Sequence, residues 1–389
     1  MTTYAESYSR KGRHKLKIKD GQVEAVSTQS GSTTLRLLFC AWFLPQGYPH
    51  TVTADYLDLG PEKMKILILG ALATEAVLKG AGVGNEAATA LAASMTWLVK
   101  DGLGMVGRIL FASAKGSQLD YDCKKWRLVA DVLNDCAFFI DLLSPLWPNW
   151  FLLSACCSSL FRCVVGVAGG ATRTTIVQHQ ARRNNLADVA AKDGSQETLV
   201  NALALVVSLV LLPAVSGRHL VIWCLFALLT ALHLFANYRA MRTLRFNVLN
   251  GKRAALVIRN YLETGRILDI DEANEREPLF HGLYPLRHLG CSLLSLLEEK
   301  QRRSPEYTIY TEHAKSRILY DKRRGFAWVA MAEGSEAVDQ LEAFFALEQL
   351  KVQTQPRDFN DFTAKLQKIG WRTDAHHLNF DEWTYNVIS

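Results

Sequence analysis

Two stretches near the middle of the chain, Leu199 to Val215 and Leu220 to Ala236, contain no Asp, Glu, Lys or Arg, and between them only one histidine, His233. A helix that is apolar on every side must be covered on every side, by protein or by lipid. A membrane-spanning helix needs about 20 largely apolar residues, with about 17 as the lower limit. The pair therefore reads as a helical hairpin long enough to cross a bilayer twice. Asp193 followed by Gln196 has capping-box spacing and predicts the start of the first helix; Pro213 and Gly217 predict its stop. Arg173, Arg182, Arg183 and Lys192 precede the hairpin, and Arg239, Arg242, Arg245, Lys252 and Arg253 follow it, whereas the turn has only Arg218 and His219. Both basic flanks fall on one side, which the positive-inside rule makes the cytosolic side or its organellar equivalent.

Other apolar segments are less clean. Trp147 to Ala171 is long enough but holds Arg162, and its small residues Ser154, Ala155, Gly166, Ala168 and Gly169 suit close helix packing. Ala87 to Ala114 contains Lys100, Asp101 and Arg108 and is interrupted by Gly102, Gly104 and Gly107; Ile66 to Val83 is shorter. "LRLLFCAWFL", Leu35 to Leu44, reads as an interfacial or core segment, because Pro45 follows it where a signal peptide would have a small-residue cleavage site. An all-helical core without lipid contact is the soluble alternative.

Composition sharpens the division. The apolar fraction of 49% and charged fraction of 21% are ordinary averages, but the charge is concentrated in the first thirty residues and after Arg242. The net charge of +6 suits an anionic lipid surface as well as nucleic acid. The basic run "SRKGRHKLKIK" has no interleaved aromatic residues for base stacking, so nucleic acid is not an expected partner and a disordered tail is. After Asn250 the pattern changes. "EYTIYTEHAKSRILYD" reads as strand, turn, strand, and "GFAWVAMAEG" as another strand. "SEAVDQLEAFFALEQLKV" is an amphipathic helix with Val338, Leu341, Phe344, Phe345 and Leu347 on its apolar face. A second helix, Phe359 to Ile369, closes at Gly370, and strand-like "HHLNFDEWTYNVI" follows. The expected layout is a basic tail over 1–34, a helical membrane-associated domain over 35–249, and a soluble α+β domain over 250–389, joined by the charged stretch Asp269 to Pro278.

No cofactor or metal is implied. The eight cysteines form no CxxC pair, the ten histidines form no HExxH, and no GxSxG elbow marks a nucleophile, so the chain does not read as an enzyme. Three polar constellations remain. Lys100 and Asp101 beside the helix-breaking glycines of Trp97 to Phe111, with Arg108, fit either an interrupted helix of the transporter kind or a helix-turn-helix at the water interface. On the helix Lys124 to Leu143, Arg127, Asp131, Asn134 and Asp135 share one face, a proton or cation route or a solvated stripe. In "VGVAGGATRTTIVQHQARRNNLADVAAKDGSQETL" there is no P-loop, so Gly169 and Gly170 are read as permitting a helix end or close packing. If Thr172 to Asn185 is helical, Arg173, Gln180 and Asn184 align while Arg182 projects away. That face, with Arg183 and Lys192 nearby, either binds an anionic headgroup or metabolite or orders the bundle against Asp188, Asp193 and Glu197.

At these residues a resemblance becomes specific. "FLPQGYPHTVTADYL", "GALATEAVLKGAGVG", "TWLVKDGLGMVGRILFASAKGSQLD", "KKWRLVADVLND", "VVGVAGGATRTTIVQHQARRNNLADVAAKDGSQETLVN" and "LTALHLFANYRAMRTL" resemble successive blocks of the root UV-B sensitive (RUS) protein family, in order over roughly Phe43 to Leu244. "GWRTDAHHLNFDEW" resembles the end of animal members, so the chain looks like an animal or fungal type. The resemblance implies a multi-pass or membrane-associated protein. Plant members are linked to UV-B response, early development, auxin transport and vitamin B6 homeostasis, and some act with another family member. It implies no catalytic residue. The sequence departs from the family pattern at "DLGPEKMKILIL", a shortened segment in which Gly60-Pro61 would break a helix, and at Ser113-Ala114, where a bulkier pair is expected.

The expected fold is mainly α, a multi-helix membrane bundle with a small C-terminal α+β domain. The expected role is a regulatory or scaffold membrane protein that meets the lipid bilayer and forms homo- or hetero-oligomers, with any small-molecule ligand unknown. The alternative is a small-molecule or ion carrier in which Lys100, Asp101, Asp131, Asp135 and Arg173 converge on one cavity.

Overall fold

The long apolar runs fold as helices. A computed structural model describes residues 2–8, 12–19, 22–29, 42–46, 48–56, 69–74, 76–77, 90–280, 287–352 and 355–386. The segments around Leu35, Gly60-Pro61 and most of Ile66 to Val83 lie outside them. The chain divides into two compact units, Met1–Ser113 with Arg127–Met241 and Ala114–Trp126 with Arg242–Ser389. The boundary expected at residue 250 therefore falls at 242, and a segment expected in the helical domain, 114–126, belongs to the C-terminal unit.

Five long helices supply the first unit: α1 (Ala90–Tyr121), α2 (Cys123–Leu143), α3 (Phe151–Gln180), α4 (Leu186–Val215) and α5 (His219–Thr243), the ends of α1, α2 and α5 reaching into residues of the second. Several sequence expectations are corrected here. α1 is not interrupted: it runs straight through Gly102, Gly104 and Gly107. A helical glycine costs only about 1 kcal/mol, and two of these three seat α1 against α3. A Cβ on Gly104 would lie 2.9 Å from Ser159 Oγ, and one on Gly107 3.1 Å from Cys163 Sγ, while Gly102 has open space. α3 continues through Gly169 and Gly170, where a Cβ would meet nothing, so neither ends a helix nor permits a close approach. Asp193 and Gln196 do not start α4, which begins at Leu186; both are engaged in side-chain contacts from its interior. Thr172 to Asn185 is not one helix, because α3 stops at Gln180, Ala181 bridges Val52, and Asn184 takes a left-handed φ of 53°.

Small apolar clusters, such as Val52, Tyr56, Val177 and Val189, are buried in this unit, but along α4 and α5 burial runs against the usual pattern. On α4, Leu205, Leu209 and Val210 are exposed, Val210 at 73%, and on α5 Leu220 and Phe235 are exposed. Inside lie Ser158, Thr172, Ser208, Asn237 and His233, the last at 0% exposure. Helices α3, α4 and α5 are each long and apolar enough to cross a membrane.

The N-terminal residues, expected to be a disordered tail, instead form three antiparallel strands, β1 (Thr2–Tyr8), β2 (Gly12–Lys19) and β3 (Gln22–Gln29). Charge alone suggested disorder; the alternation of Lys15, Lys17 and Lys19 with Leu16 and Ile18 has strand period.

The second unit is α+β. It contains β4 (Leu249–Asn250), α6 (Gly251–Thr264), α7 (Ile270–Arg276), β5 (Arg287–Leu289), α8 (Leu293–Arg302), β6 (Thr308–Glu312), β7 (Ser316–Asp321), β8 (Phe326–Ala332), α9 (Ala337–Val352), α10 (Phe359–Ile369), β9 (His376–His377) and β10 (Thr384–Tyr385). Strand β8 pairs antiparallel with β7, which pairs with β6, and its other edge takes β5 and β10 in parallel. Strand alternation places Ile318, Ala327, Val329 and Met331 in a core with Ile258, Tyr261, Phe344 and Phe362, and Leu319, Trp328 and Ala330 in a second with Cys291 and Leu296. Gly290, at φ 72°, is fixed by its neighbour: a Cβ there would lie 2.2 Å from the Asp381 carbonyl oxygen. The apolar face of α9 is as expected except at Val338, which is exposed in the first turn. The stretch Asp269 to Pro278 is no linker; Asp269 caps α7, and Asn274 and Glu277 are buried.

The glycine contrast is testable in detergent denaturation. Gly102→Ala is expected to leave stability unchanged or raise it by up to about 1 kcal/mol. Gly104→Ala is expected to cost about 1–3 kcal/mol by overpacking, because Ser159 Oγ must leave its 3.0 Å hydrogen bond to the Lys100 carbonyl. Equal effects of the two substitutions would refute the packing role.

Candidate functional site

The polar residues of the first unit gather at three places. The first is the stripe on α2. Asp131 and Asp135 are buried, Arg127 and Asn134 are half-buried, and Val132 and Phe139 on other faces are exposed, so the polar face points inward. Both oxygens of Asp135 lie 2.9–3.0 Å from His233 Nδ1, and Asn237 Nδ2 lies 2.7 Å from His233 Nε2. With the amide nitrogen towards the ring it donates to Nε2, so the ring proton sits on Nδ1 and is donated to Asp135. One turn earlier, Asp131 Oδ2 is buried without a hydrogen bond, 3.9 Å from Arg127 Nε.

The second place is a half-open cavity of about 550 Å³ lined by Gly70, Ala71, Thr74 and Val77 with residues of α1 to α4. Its charged and polar lining is Lys100, Asp141, Arg162, Asn201 and Ser208, set among Trp97, Phe138, Ala155, Ala204 and Leu205. Lys100 Nζ sits 3.9 Å above the Trp97 ring. Arg162 stacks 5.4 Å from Phe138, forms a close ion pair with Asp141, and donates to Ser158 Oγ at 2.9 Å. The shape follows from the small residues on α3 and α4, which leave room where larger side chains would fill it.

The third place is the joint between α3 and α4. Arg173 pairs with Asp193 at 2.5 Å and Glu197 at 2.6 Å. Asp188 accepts from Gln46 N at 2.6 Å, Gln196 Nε2 donates to the Phe43 carbonyl and the Tyr56 hydroxyl, and His179 Nε2 meets Asp55 at 3.2 Å. Gln180 is buried and its carbonyl accepts from Thr53 N. Arg182, Arg183 and Asn184 are exposed and Lys192 is half-buried. Arg173, Gln180 and Asn184 therefore do not form the single helical face expected of them, because the helix ends between them.

Lys100, Asp101, Asp131, Asp135 and Arg173 thus do not converge. Lys100 lines the cavity, Asp101 is 61% exposed beside it, the two α2 acids belong to the His233 network, and Arg173 belongs to the joint. Arg108 is exposed on α1. Sequence reasoning missed Asp141, Trp97, Asn201 and Asp55 altogether. It met Arg162 and His233 only as blemishes in apolar runs, which is the signal that marks them: a charged or ionisable group inside such a run is costly and carries a partner or a function.

The second unit holds a closed ion cluster. The buried Glu277 carboxylate accepts from Arg253 at 2.8 Å and Asn250 at 2.7 Å and lies 3.1 Å from Lys124 Nζ. Burial alone would raise its pKa, but the charges of Arg253 and Lys124 and the Asn250 donor together hold it down at about 2. Nearby, Lys252 pairs with Asp122 at 2.8 Å.

The family model described as "Vitamin B6 photo-protection and homoeostasis domain" matches residues 29–265, and "Root UVB sensitive protein, C-terminal" matches residues 349–387. Protein root UVB sensitive 3 of Arabidopsis thaliana is 40% identical over 376 residues, covering 89% of this chain and 86% of that protein. RUS family member 1 of Dictyostelium discoideum is 37% identical over 292 residues, 73% of this chain but 55% of that longer protein. Protein root UVB sensitive 2, chloroplastic, of Arabidopsis thaliana is 28% identical over 85% of this chain and 81% of its own length. No solved structure matches.

Two measurements test this electrostatic account. Glu277→Gln leaves two buried cations facing a neutral amide and is expected to cost about 3–5 kcal/mol. The pKa of Glu277 lies below the ordinary 4.5 in the folded chain. Its contribution is therefore complete above that value and lost as the pH falls through about 2, so the variant should also show a shallower loss of stability in acid. For the α2 network, His233→Leu and Asp135→Leu should each destabilise, and the double variant should lose less than their sum by about 1–3 kcal/mol. Additive losses would mean that the pair is not coupled.

Proposed function

The chain belongs to the root UVB sensitive family, and on that premise we propose that the long helices of its first unit lie in a lipid bilayer, with α3, α4 and α5 as spans of a multi-pass membrane protein. One observation carries this reading: Leu205, Leu209, Val210, Leu220 and Phe235 point outwards while Ser158, Thr172, His233 and Asn237 are buried. In water such a surface invites association, since apolar patches of this extent mark contact with protein or lipid. In hydrocarbon it is the favoured arrangement, with the polar groups paired inside.

The protein acts in vitamin B6 homeostasis, which the description of its main domain names, as a regulatory or scaffold membrane protein. We assign it no catalytic step. Scaffolding is favoured over the carrier built on five converging charges, because those charges pair locally: Arg173 with Asp193 and Glu197, Arg127 with Asp131, and Asp135 with His233. The exposed Arg182 and Arg183 at the α3–α4 joint are suited to anionic headgroups or an acidic partner, including another family member.

Membranes carrying the full chain should retain it through an alkaline carbonate wash and release it to detergent. In sealed vesicles, a protease site inserted after Arg183 and one inserted after Gly217 should be cleaved from opposite sides. Release by carbonate, or cleavage of both sites from one side, would contradict the reading.

A further inference from the structure

The 550 Å³ cavity has no part in the scaffold role, yet it is built like a ligand site. Small-molecule pockets run to about 300–1,000 Å³, with mostly apolar walls and a few convergent polar groups. Here the apolar wall comes from Val77, Phe138 and Ala155, with Leu205 at the exposed rim, and the polar groups are Lys100, Asp141, Arg162, Thr74, Asn201 and Ser208. Lys100 and Arg162 bring two cations to this lining and Asp141 one carboxylate. Asp101 pairs with Lys100 at 3.7 Å from outside the lining and is 61% exposed, so it leaves that ammonium only partly compensated. Asp141 and Ser158 hold the Arg162 guanidinium, and a guanidinium has five donors, of which these two contacts use two. Phosphate oxygens match the planar fork of Arg and the point charge of Lys.

We propose that this cavity binds the phosphate monoester of a small aromatic ring, namely a phosphorylated B6 vitamer. Lys100 and Arg162 take the phosphate, Trp97 and Phe138 flank the ring, and Thr74, Asn201 and Ser208 meet its polar substituents. The residues fit such a group in charge, size and aromatic character. The assignment rests on the B6 reading of the family domain, while the choice of cavity rests on geometry alone. A lipid phosphate shares the anionic chemistry and is separated from the free vitamer in the test.

The full chain, in nanodiscs of phosphatidylcholine, is titrated calorimetrically with pyridoxine 5′-phosphate, which lacks the aldehyde that condenses with exposed lysines. Pyridoxine and inorganic phosphate are titrated in parallel, and the first titration is repeated in nanodiscs containing phosphatidic acid. Saturable binding is expected for pyridoxine 5′-phosphate, weaker by at least about tenfold for pyridoxine and for inorganic phosphate. Lys100→Met should weaken binding by about tenfold to a hundredfold, as befits a charge-assisted contact. Asn201→Leu, at an exposed position of α4, provides a second variant should Lys100→Met fail to fold, and should weaken binding by about fivefold. No binding of the vitamer phosphate, or binding unchanged in a folded variant, would overturn the proposal. Displacement of the vitamer by phosphatidic acid would assign the cavity to a lipid headgroup and overturn it equally. Failure of binding in a chain that still resists carbonate extraction condemns the ligand and leaves the bilayer reading standing.

Discussion

The contact between Asp135 and His233 sets the terms for the helical unit. A buried carboxylate is tolerable only with a donor aimed at it, and His233, itself closed off by Asn237, supplies one at 2.9 Å. With that pair inside, α2 must turn its polar stripe inward and leave Val132 and Phe139 outside. The exterior of α4 follows the same logic. Each exposed Leu or Val would release about 1.5–3 kcal/mol if covered, and seven of them lie between Leu199 and Val210. A surface of that kind requires an apolar surrounding, just as the interior requires paired polar groups.

The second unit solves the opposite problem in the ordinary way. Its sheet alternates side chains between two cores, its helices are capped by Asn250, Ser292 and Asp358, and the buried carboxylate of Glu277 is surrounded by cations and an amide. The charged groups here close on one another, leaving no solvent-sized space among Lys124, Asn250 and Arg253. In the first unit the residues around Lys100 and Arg162 border a half-open volume instead. That contrast separates a structural ion cluster from a candidate binding site.

Periodicity made the helices and most of the C-terminal sheet legible, because apolar spacing is written in consecutive residues: α10 and its Gly370 stop fall where the sequence places them. Helix boundaries were less legible where a tertiary contact overrode a local signal. Asp193 and Gln196 have the spacing of a cap, but Arg173 and the Phe43 carbonyl hold them in mid-helix. Gly104 and Gly107 look like breaks, yet they seat α1 against Ser159 and Cys163. The stripe of Arg127, Asp131 and Asp135 was visible on one helix, but its partner His233 is distant in sequence, and spacing does not report such pairs. Lys100 does meet its sequence neighbour Asp101, at 3.7 Å, but the cavity it lines is completed by Arg162 and Asp141 from helices that pattern alone could not bring together.

The exposed apolar side chains of α4 and α5 are what the proposal of a bilayer-embedded helical unit depends on. The most direct test is a scan of single spin labels along α4 in reconstituted vesicles, comparing relaxation by lipid-soluble oxygen with relaxation by a water-soluble nickel chelate. The account predicts high oxygen and low nickel accessibility at Leu205, Leu209 and Val210, with both low at Ala204 and Ser208. Nickel accessibility at Val210 equal to that of an exposed site in the second unit, such as Glu298, would contradict it.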